Sequence, residues 1–598
     1  MKTLFRLGLL LASLIALAMP ARGQDAYNTP AWHAWMHEAN TSEDPRMQEA
    51  YGIVASWSNQ PGIYGLWDYF HAVMLEDDQP AAAAAKYAEA IETSNSFMTY
   101  GPGGNYTHQS QWWAILNGRL QSRLTAAQSA AWRDAQIARC KDAMGWGQWG
   151  PVTRLGDSDM VEGAWGMIFT TDVIMGTDFY TLNSANATDG TDWVGCSWKE
   201  MDALVAKLCR NAKRGGENWE GTQYGLGTAR EIAFTVGVVG INHPRLHPDI
   251  REYVLAAGAN QPWVLTPGLQ DKVFWGDNEG HRSLHGHYRG PLLDVLASVT
   301  GDPTGDLLAM SKRIYVPDSA SWIAYHHSIL TTDPRSRPLV PVVNEPVGFL
   351  DTGVGLSVHR GPSRLVQSYA PVPMSGDANE YIDHQMAQWN ARWWQGGSWL
   401  LDSIMSYMPW SRCHNGSECY GFQPPYGVKV NYSRETATGF EAEYEAAEPP
   451  VLPGWDPASP FIRKWTRNTT LADGRMVFRD RIDATDPGTM PKMDRRGAGA
   501  ESLYAARIAP VAQFFHAPPG RAVTAIPNGF TWQNAAGVEM KLLTNATVRS
   551  TATAVHEVNV GTYMEESELG GTIMQLGAEW DVTTVVGLAS DTLSLIHI

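Results

Sequence analysis

The sequence predicts an α+β multidomain protein, an N-terminal (α/α) toroid followed by a C-terminal antiparallel β-sandwich. Three observations predict it. Residues 46–313 carry about eleven helix-length patterns in succession, broken by Gly, Pro and Asn, with no strand between them. After Pro334 the helical periodicity fades, prolines recur at 338, 341 and 346, and short runs rich in Val, Tyr, Phe and Thr alternate with turn residues. The chain is also too long for one ordinary core, so the two textures read as separate domains.

Residues 1–23 have a basic start (Lys2, Arg6), an apolar run over 7–19 and the small residues Ala21 and Gly23 before Gln24. This is the pattern of a cleavable secretory signal, too short to stay in a membrane as a span. No cysteine follows the run, so a lipid anchor is not indicated, and no later stretch is apolar for long enough to cross a bilayer. The expected location is secreted or periplasmic, with no membrane insertion.

Helices are expected at 46–57, 64–76, 80–95, 109–121, 125–143, 159–175, 198–212, 227–240, 246–257, 288–299 and 303–313. The run P-A-A-A-A-A-K-Y-A-E-A-I from Pro80 favours helix strongly, because alanine loses no side-chain entropy there. So many consecutive helices pair into a ring or solenoid whose loops and helix ends surround a cleft. Strands are expected at 355–359, 427–432, 475–482, 538–543 and 552–560, the spacing of a sandwich. The boundary falls within 315–345, giving a toroid over 24–335 and a sandwich over 336–598. Residues 593–598 follow no turn signal and read as a junction, so the native C-terminus is expected to be missing.

The formal charge of −17 argues against nucleic acid and anionic membranes as general partners. It leaves a polyanionic substrate open, since a local arginine cluster outweighs an average. Five cysteines are few for a disulfide scaffold; Cys413 with Cys419 is the best candidate bridge, Cys196 with Cys209 a weaker one, and Cys140 is expected to be buried. No C-x-x-C pair, H-E-x-x-H or phosphate-cradling loop occurs. The 25 tryptophans fit a protein that stacks sugar rings, although about two thirds of them are assigned to the core. The sequence does not set the oligomeric state.

Chemistry concentrates in residues 276–290, G-D-N-E-G-H-R-S-L-H-G-H-Y-R-G. Glycines at 276, 280, 286 and 290 permit tight turns and close approach to a ligand. The stretch reads as a functional loop running into a helix; the competing reading is a polar surface loop. Asn105-Tyr106-Thr107-His108 and Asp157-Ser158-Asp159 with Glu162 either line the same cleft or serve as turns and caps.

Three segments resemble polysaccharide lyases of the heparinase II/III-like superfamily. Asp383-His384-Gln385, followed by Gly397-Ser398-Trp399-Leu400-Leu401-Asp402 and Tyr407, looks like the signature that opens the family's sandwich domain. Met476-Val477-Phe478-Arg479-Asp480-Arg481-Ile482 with Asp486-Pro487, then Phe514-Phe515-His516, is similar to its paired core strands. Asp277 to Tyr288 occupies the place of the family's D-G-x-x-x-E-G-x-x-Y-like loop, which carries the catalytic tyrosine. Two departures follow. Some members hold a structural zinc; Asp402 and His516 match two of its ligands, but Met386 stands at the third, and a thioether is a poor zinc ligand there. No tightly held zinc and no other cofactor is therefore expected. The family's Asn-His pair is also absent, and Asn218-Trp219-Glu220-Gly221-Thr222-Gln223-Tyr224 takes its place without a histidine.

The resemblance implies β-elimination on a uronic-acid-containing polysaccharide. The proton beside the carboxylate is weakly acidic until that charge is neutralised, after which a base removes it and an acid protonates the leaving oxygen. Tyr288 is assigned as general acid, with the base role open to it as well, and His384 as base or carboxylate neutraliser from the sandwich side. Gln223 and Asn278, with Asn218 and Tyr224 beside them, are the carboxylate partners, and Arg282 and Arg289 the subsite cations. His281, His285 and His287 compete for a supporting role. A tyrosine, with its ordinary pKa of about 10, needs such neighbouring positive charge to act as a base. Two rivals stand beside this reading. A glycoside hydrolase would draw two carboxylates from Asp157, Asp159, Glu162, Asp277 and Glu279. A non-catalytic glycan-binding protein would rely on the tryptophans alone.

Overall fold

The computed structural model describes residues 25–58, 65–98, 107–145, 158–177, 198–212, 224–269, 286–314, 322–352, 355–369, 390–401, 417–419, 428–446, 462–484, 511–518, 521–534, 536–545, 547–553, 572–577 and 581–590. They divide into two compact units. Those within Met1–Lys207, Gly227–Gly258 and Gly286–Val342 make the first, and those within Leu208–Leu226, Ala259–His285 and Val343–Ile598 the second.

The helices in chain order are α1 (Pro30–Glu38), α2 (Pro45–Trp57), α3 (Leu66–Leu75), α4 (Pro80–Met98), α5 (Thr107–Leu120), α6 (Ala126–Gly145), α7 (Ser158–Met175), α8 (Trp198–Ala212), α9 (Tyr224–Val239), α10 (Pro248–Asn260), α11 (Gly286–Thr300), α12 (Asp306–Ile314) and α13 (Trp322–Thr331). None among the described residues is long and apolar enough to cross a membrane. The eleven expected helices are all present; α1 and α13 were not foreseen. Thr29 caps α1 by accepting from the Trp32 amide at 3.1 Å, and Asp44 caps α2 by accepting from the Arg46 amide at 2.9 Å, each just before a proline at the first helical position.

Burial sorts the helices into two kinds. In α4 the buried residues are Ala83, Tyr87, Ala90 and Ser94, and in α6 Trp132, Gln136 and Cys140, each a single stripe at helical spacing. By contrast α3 is buried along its whole length, as are 111–117 of α5, 163–175 of α7, 228–239 of α9 and 290–297 of α11. A helix apolar on every side has neighbours on every side, whereas a striped helix faces solvent. The fully buried helices alternate with striped ones along the chain, which is the construction of an (α/α) toroid with an inner and an outer ring.

The inner helices run in one direction. Gln111 of α5 donates to Thr170 of α7 at 3.0 Å and Thr235 of α9 at 2.9 Å. Further along, Gly118 of α5 abuts Ile174 of α7, and Asp172 of α7 pairs with Arg245 beyond the end of α9 at 3.3 Å. Similarly Trp67 of α3 stacks on Tyr325 of α13, while the Trp32 indole, stacked on Tyr69 two residues further on, donates to the Ile329 carbonyl at 3.1 Å. Their C-terminal ends meet the start of the described chain. There Asp25 pairs with buried Arg119 at 2.7 Å, and Tyr27, Trp32, Gly237, Ser298 and Leu330 line a cavity of about 430 Å³. Their N-termini therefore all open at the other end.

The described strands of the second unit all pair antiparallel. The strands are β1 (Gly348–Asp351), β2 (Leu356–Arg360), β3 (Arg364–Tyr369), β4 (Asn390–Gln395), β5 (Ser398–Leu401), β6 (Ser417–Cys419), β7 (Val428–Glu435), β8 (Phe440–Ala446), β9 (Ile462–Ala472), β10 (Arg475–Ala484), β11 (Val511–His516), β12 (Val523–Ile526), β13 (Gly529–Gln533), β14 (Glu539–Thr544), β15 (Thr547–Thr553), β16 (Thr572–Gly577) and β17 (Asp581–Leu588). They form a five-stranded sheet (β1-β2-β3-β4-β5), an eight-stranded sheet (β12-β13-β14-β17-β10-β9-β8-β7) and a four-stranded sheet (β15-β16-β11-β6). The strand expected at 552–560 overlaps the end of β15 at 552–553; residues 554–560 lie outside the described ones.

Strict alternation drives the packing. Along β9 Trp465, Arg467, Thr469 and Leu471 are buried, and along β10 Met476, Phe478 and Asp480. Of these, Trp465, Leu471, Met476 and Phe478 meet Val366, Ala391, Trp393, Leu400 and Leu401 of the five-stranded sheet in one core, which makes the pair a sandwich. The Trp532 indole donates across it to the Leu400 carbonyl at 2.8 Å, and Tyr444 donates to Ser368 at 3.1 Å.

Candidate active site

In the chain, four of the segments that the sequence singles out run directly into buried helices. The cluster 105–108 leads into α5, 157–159 into α7, 218–224 into α9 and 276–290 into α11. A helix N-terminus leaves four amide N–H groups without intrahelical partners and carries about half a positive elementary charge. Parallel inner helices place several such ends on one rim. Helix N-termini of this kind favour anions.

Tyr224 is the first residue of α9, and His287, Tyr288 and Arg289 occupy the first turn of α11. Residues expected to precede the helix at 227–240 are thus already helical, because the amide ladder extends a turn closer to the loop. The side chains of Tyr224, His287, Tyr288 and Arg289 lie outside the described residues, as do Asn218, Gln223, Asn278, His281, Arg282, His285 and His384 entirely. The same holds for Asp157, Asp277 and Glu279, and for the side chains of Asp159 and Glu162. Of the zinc-related positions, Met386 and Asp402 fall outside, and His516 is placed only as the last residue of β11. Cys413 and Cys196 also fall outside, so neither expected bridge is described. Cys140 is buried in α6, and burial pushes its thiol up to about 12, which removes it as a nucleophile at neutral pH.

Two titratable clusters on the inner helices were not read from the sequence. In the first turn of α3, Asp68 is pushed up to about 6 by burial, opposed by the Lys86 ammonium at 3.4 Å; Lys86 also reaches Glu89 at 2.6 Å. One turn on, His71 is held below its ordinary value by burial and its Nδ1 meets the Ser58 hydroxyl at 2.7 Å. The second cluster joins α9 to α13. Arg230 Nη2 donates to Glu231 Oε1 at 2.9 Å, and His327 Nε2 lies 3.4 Å from the same oxygen. Neither showed in local pattern, because each depends on residues from two helices.

No family model matches the chain, and no curated protein matches it. Solved structures do. The crystal structure of heparinase III superposes with a TM-score of 0.52 at 12% identity, covering 88% of this chain and 77% of that one. The X-ray structure of the Streptomyces coelicolor A3 chondroitin AC lyase in complex with chondroitin sulphate superposes with a TM-score of 0.52 at 10% identity, covering 95% and 83%. The chain thus has the heparinase-like polysaccharide lyase fold over most of its length. At these identities the likeness defines the fold.

Proposed function

We propose that the protein is an exported polysaccharide lyase that cleaves a uronic-acid-containing polysaccharide by β-elimination. The observation that carries this reading is the fold shared with heparinase III and the chondroitin AC lyase, in a chain whose loop 276–290 leads into an inner helix with Tyr288 in its first turn. Tyr288 donates the proton to the leaving glycosidic oxygen and is one candidate for the base; His384 is the other. Gln223 and Asn278 hydrogen-bond the uronate carboxylate, with Asn218 and Tyr224 next to them. That neutralisation makes the adjacent C–H acidic enough to lose its proton.

A tyrosine hydroxyl is a poor base at its ordinary pKa. To act as a base it needs positive charge beside it, which Arg282 and Arg289, close in sequence, are proposed to supply. His281 and His287 take supporting roles. The donor set Met386, Asp402 and His516 is poorly matched to zinc, and no step is derived through it.

The test is product analysis. The mature chain, incubated with alginate, glucuronan, heparan sulfate, chondroitin sulfate, hyaluronan and pectic chains in turn, is expected to generate the ultraviolet absorbance of an unsaturated uronide on at least one. New reducing ends without that absorbance reassign it as a hydrolase. Binding without either product leaves only the glycan-binding reading.

A further inference from the structure

Arg230, Glu231 and His327 are buried together inside the helical unit, their side chains only 6%, 1% and 2% exposed. Arg230 donates Nε and Nη2 to Glu231 Oε1 at 3.2 and 2.9 Å, and His327 Nε2 approaches that oxygen at 3.4 Å. The His327 ring stacks on half-buried His326 with centroids 4.4 Å apart. Trp112 of α5 sets its edge against both imidazoles, at 4.2 and 5.2 Å, and Phe234 closes on His327 at 4.6 Å. The result is a continuous path from a buried carboxylate to a partly accessible imidazole.

Its position along the helices matters. Glu231 lies seven residues beyond Tyr224 and His326 four beyond Trp322, which is about 10 Å and about 6 Å from the two helix starts at 1.5 Å per residue. The group therefore sits one to two turns beneath the rim. For stability alone it is a poor choice: apolar side chains of the same volume, among the tryptophan and phenylalanine already there, would hold the helices as well or better. The Glu231 carboxylate, 3.4 Å from His327 Nε2, gives that ring an electrostatic reason for its placement, and His326 packs against its face.

We propose that Arg230, Glu231 and His327 are positioning residues for the lyase site, holding His326 and the first turns of α9 in the arrangement that catalysis requires. The inference rests on the proposed lyase function. Glu231 acts through His327 and His326 and does not touch the substrate.

The experiment uses the mature full-length chain and whichever polysaccharide of the panel above gives unsaturated product. Glu231→Gln keeps the volume and removes the charge; His327→Leu removes the ring nitrogen and His327→Gln restores a polar donor. Glu231→Gln and His327→Leu are expected to fold by circular dichroism and to lose about 10- to 100-fold in kcat, the scale of a small misplacement at a reacting centre, with KM changed by less than about threefold. His327→Gln is expected to recover most of the loss. Cys140→Ala, on the outer ring, serves as the control that lowers Tm and leaves kcat intact. If Glu231→Gln lowers Tm and keeps kcat within about threefold, the group is packing only and the inference is overturned. Should Glu231→Gln not fold, His326→Gln decides: an unchanged kcat there overturns the inference equally. Absence of unsaturated product from the wild-type chain refutes the lyase reading itself, a separate result from intact turnover in the variants.

Discussion

Replacing Asp480 by asparagine tests why the M-V-F-R-D-R-I stretch reads as a core strand. Asp480 on β10 lies directly across from Arg467 on β9, and the two form a bidentate pair with Nε–Oδ1 and Nη2–Oδ2 distances of 2.8 Å each. Their side chains are 0% and 1% exposed. Asp480→Asn keeps the shape but takes the counter-charge from a guanidinium that has no access to water. Breaking a buried pair from one side costs about 3–5 kcal/mol. For a unit of this size that lowers Tm by roughly 6–20 °C, at about 2–4 °C per kcal/mol. Thermal unfolding of wild type and variant, followed by circular dichroism at one pH, measures it. The double replacement Arg467→Met with Asp480→Leu is expected to recover most of the loss, because it buries no charge. A fall of under about 1 kcal/mol for Asp480→Asn would refute the reasoning, showing that the guanidinium is not held by that carboxylate.

Asp68 contributes a pH dependence. Its folded pKa, raised to about 6 from the ordinary 3.8, means the folded state holds the proton more tightly than the unfolded one. The group therefore costs stability as pH rises through about 4 to 6, by roughly 3 kcal/mol at most. The Tm difference between Asp68→Asn and wild type is expected to grow in the variant's favour from pH 4 to pH 7; a constant difference contradicts this. At Gly237 a Cβ would lie 1.9 Å from the Tyr27 hydroxyl, so Gly237→Ala is expected to destabilise by about 1–3 kcal/mol. Combining it with Tyr27→Ala should cost less than the sum of the two single changes, and simple additivity would show that the ring is not the obstacle.

Legibility in the sequence followed burial. The helix at 80–95 was evident because Ala83, Tyr87, Ala90 and Ser94 make one buried stripe against a polar remainder. Helix α13 was missed because Tyr325 and 327–330 are buried on successive faces, so no polar face marks its period. Helix α1 was missed for a different reason: Trp32, Trp35 and Met36 do fall at i, i+3 and i+4, but nine residues give the period too few turns to stand out. The titratable loops read in the sequence as clusters preceding helices, and α5, α7, α9 and α11 begin where they end, while the loops themselves lie outside the described residues. The buried Glu231 group was invisible. Arg230-Glu231 in a helix reads as a solvent-facing pair, and only a partner from α13 turns it into an interior one.

The most direct test of the central claim is the turnover of Tyr288→Phe, followed by the absorbance of the unsaturated product. The change removes one hydroxyl and leaves the ring, so stability should alter by no more than about 1 kcal/mol. If Tyr288 carries the proton, kcat is expected to fall by about 10²- to 10⁴-fold while KM moves much less. A kcat within about threefold of wild type, under roughly 1 kcal/mol of lost transition-state stabilisation, would contradict the account and send the search to His281, His287 and Tyr224.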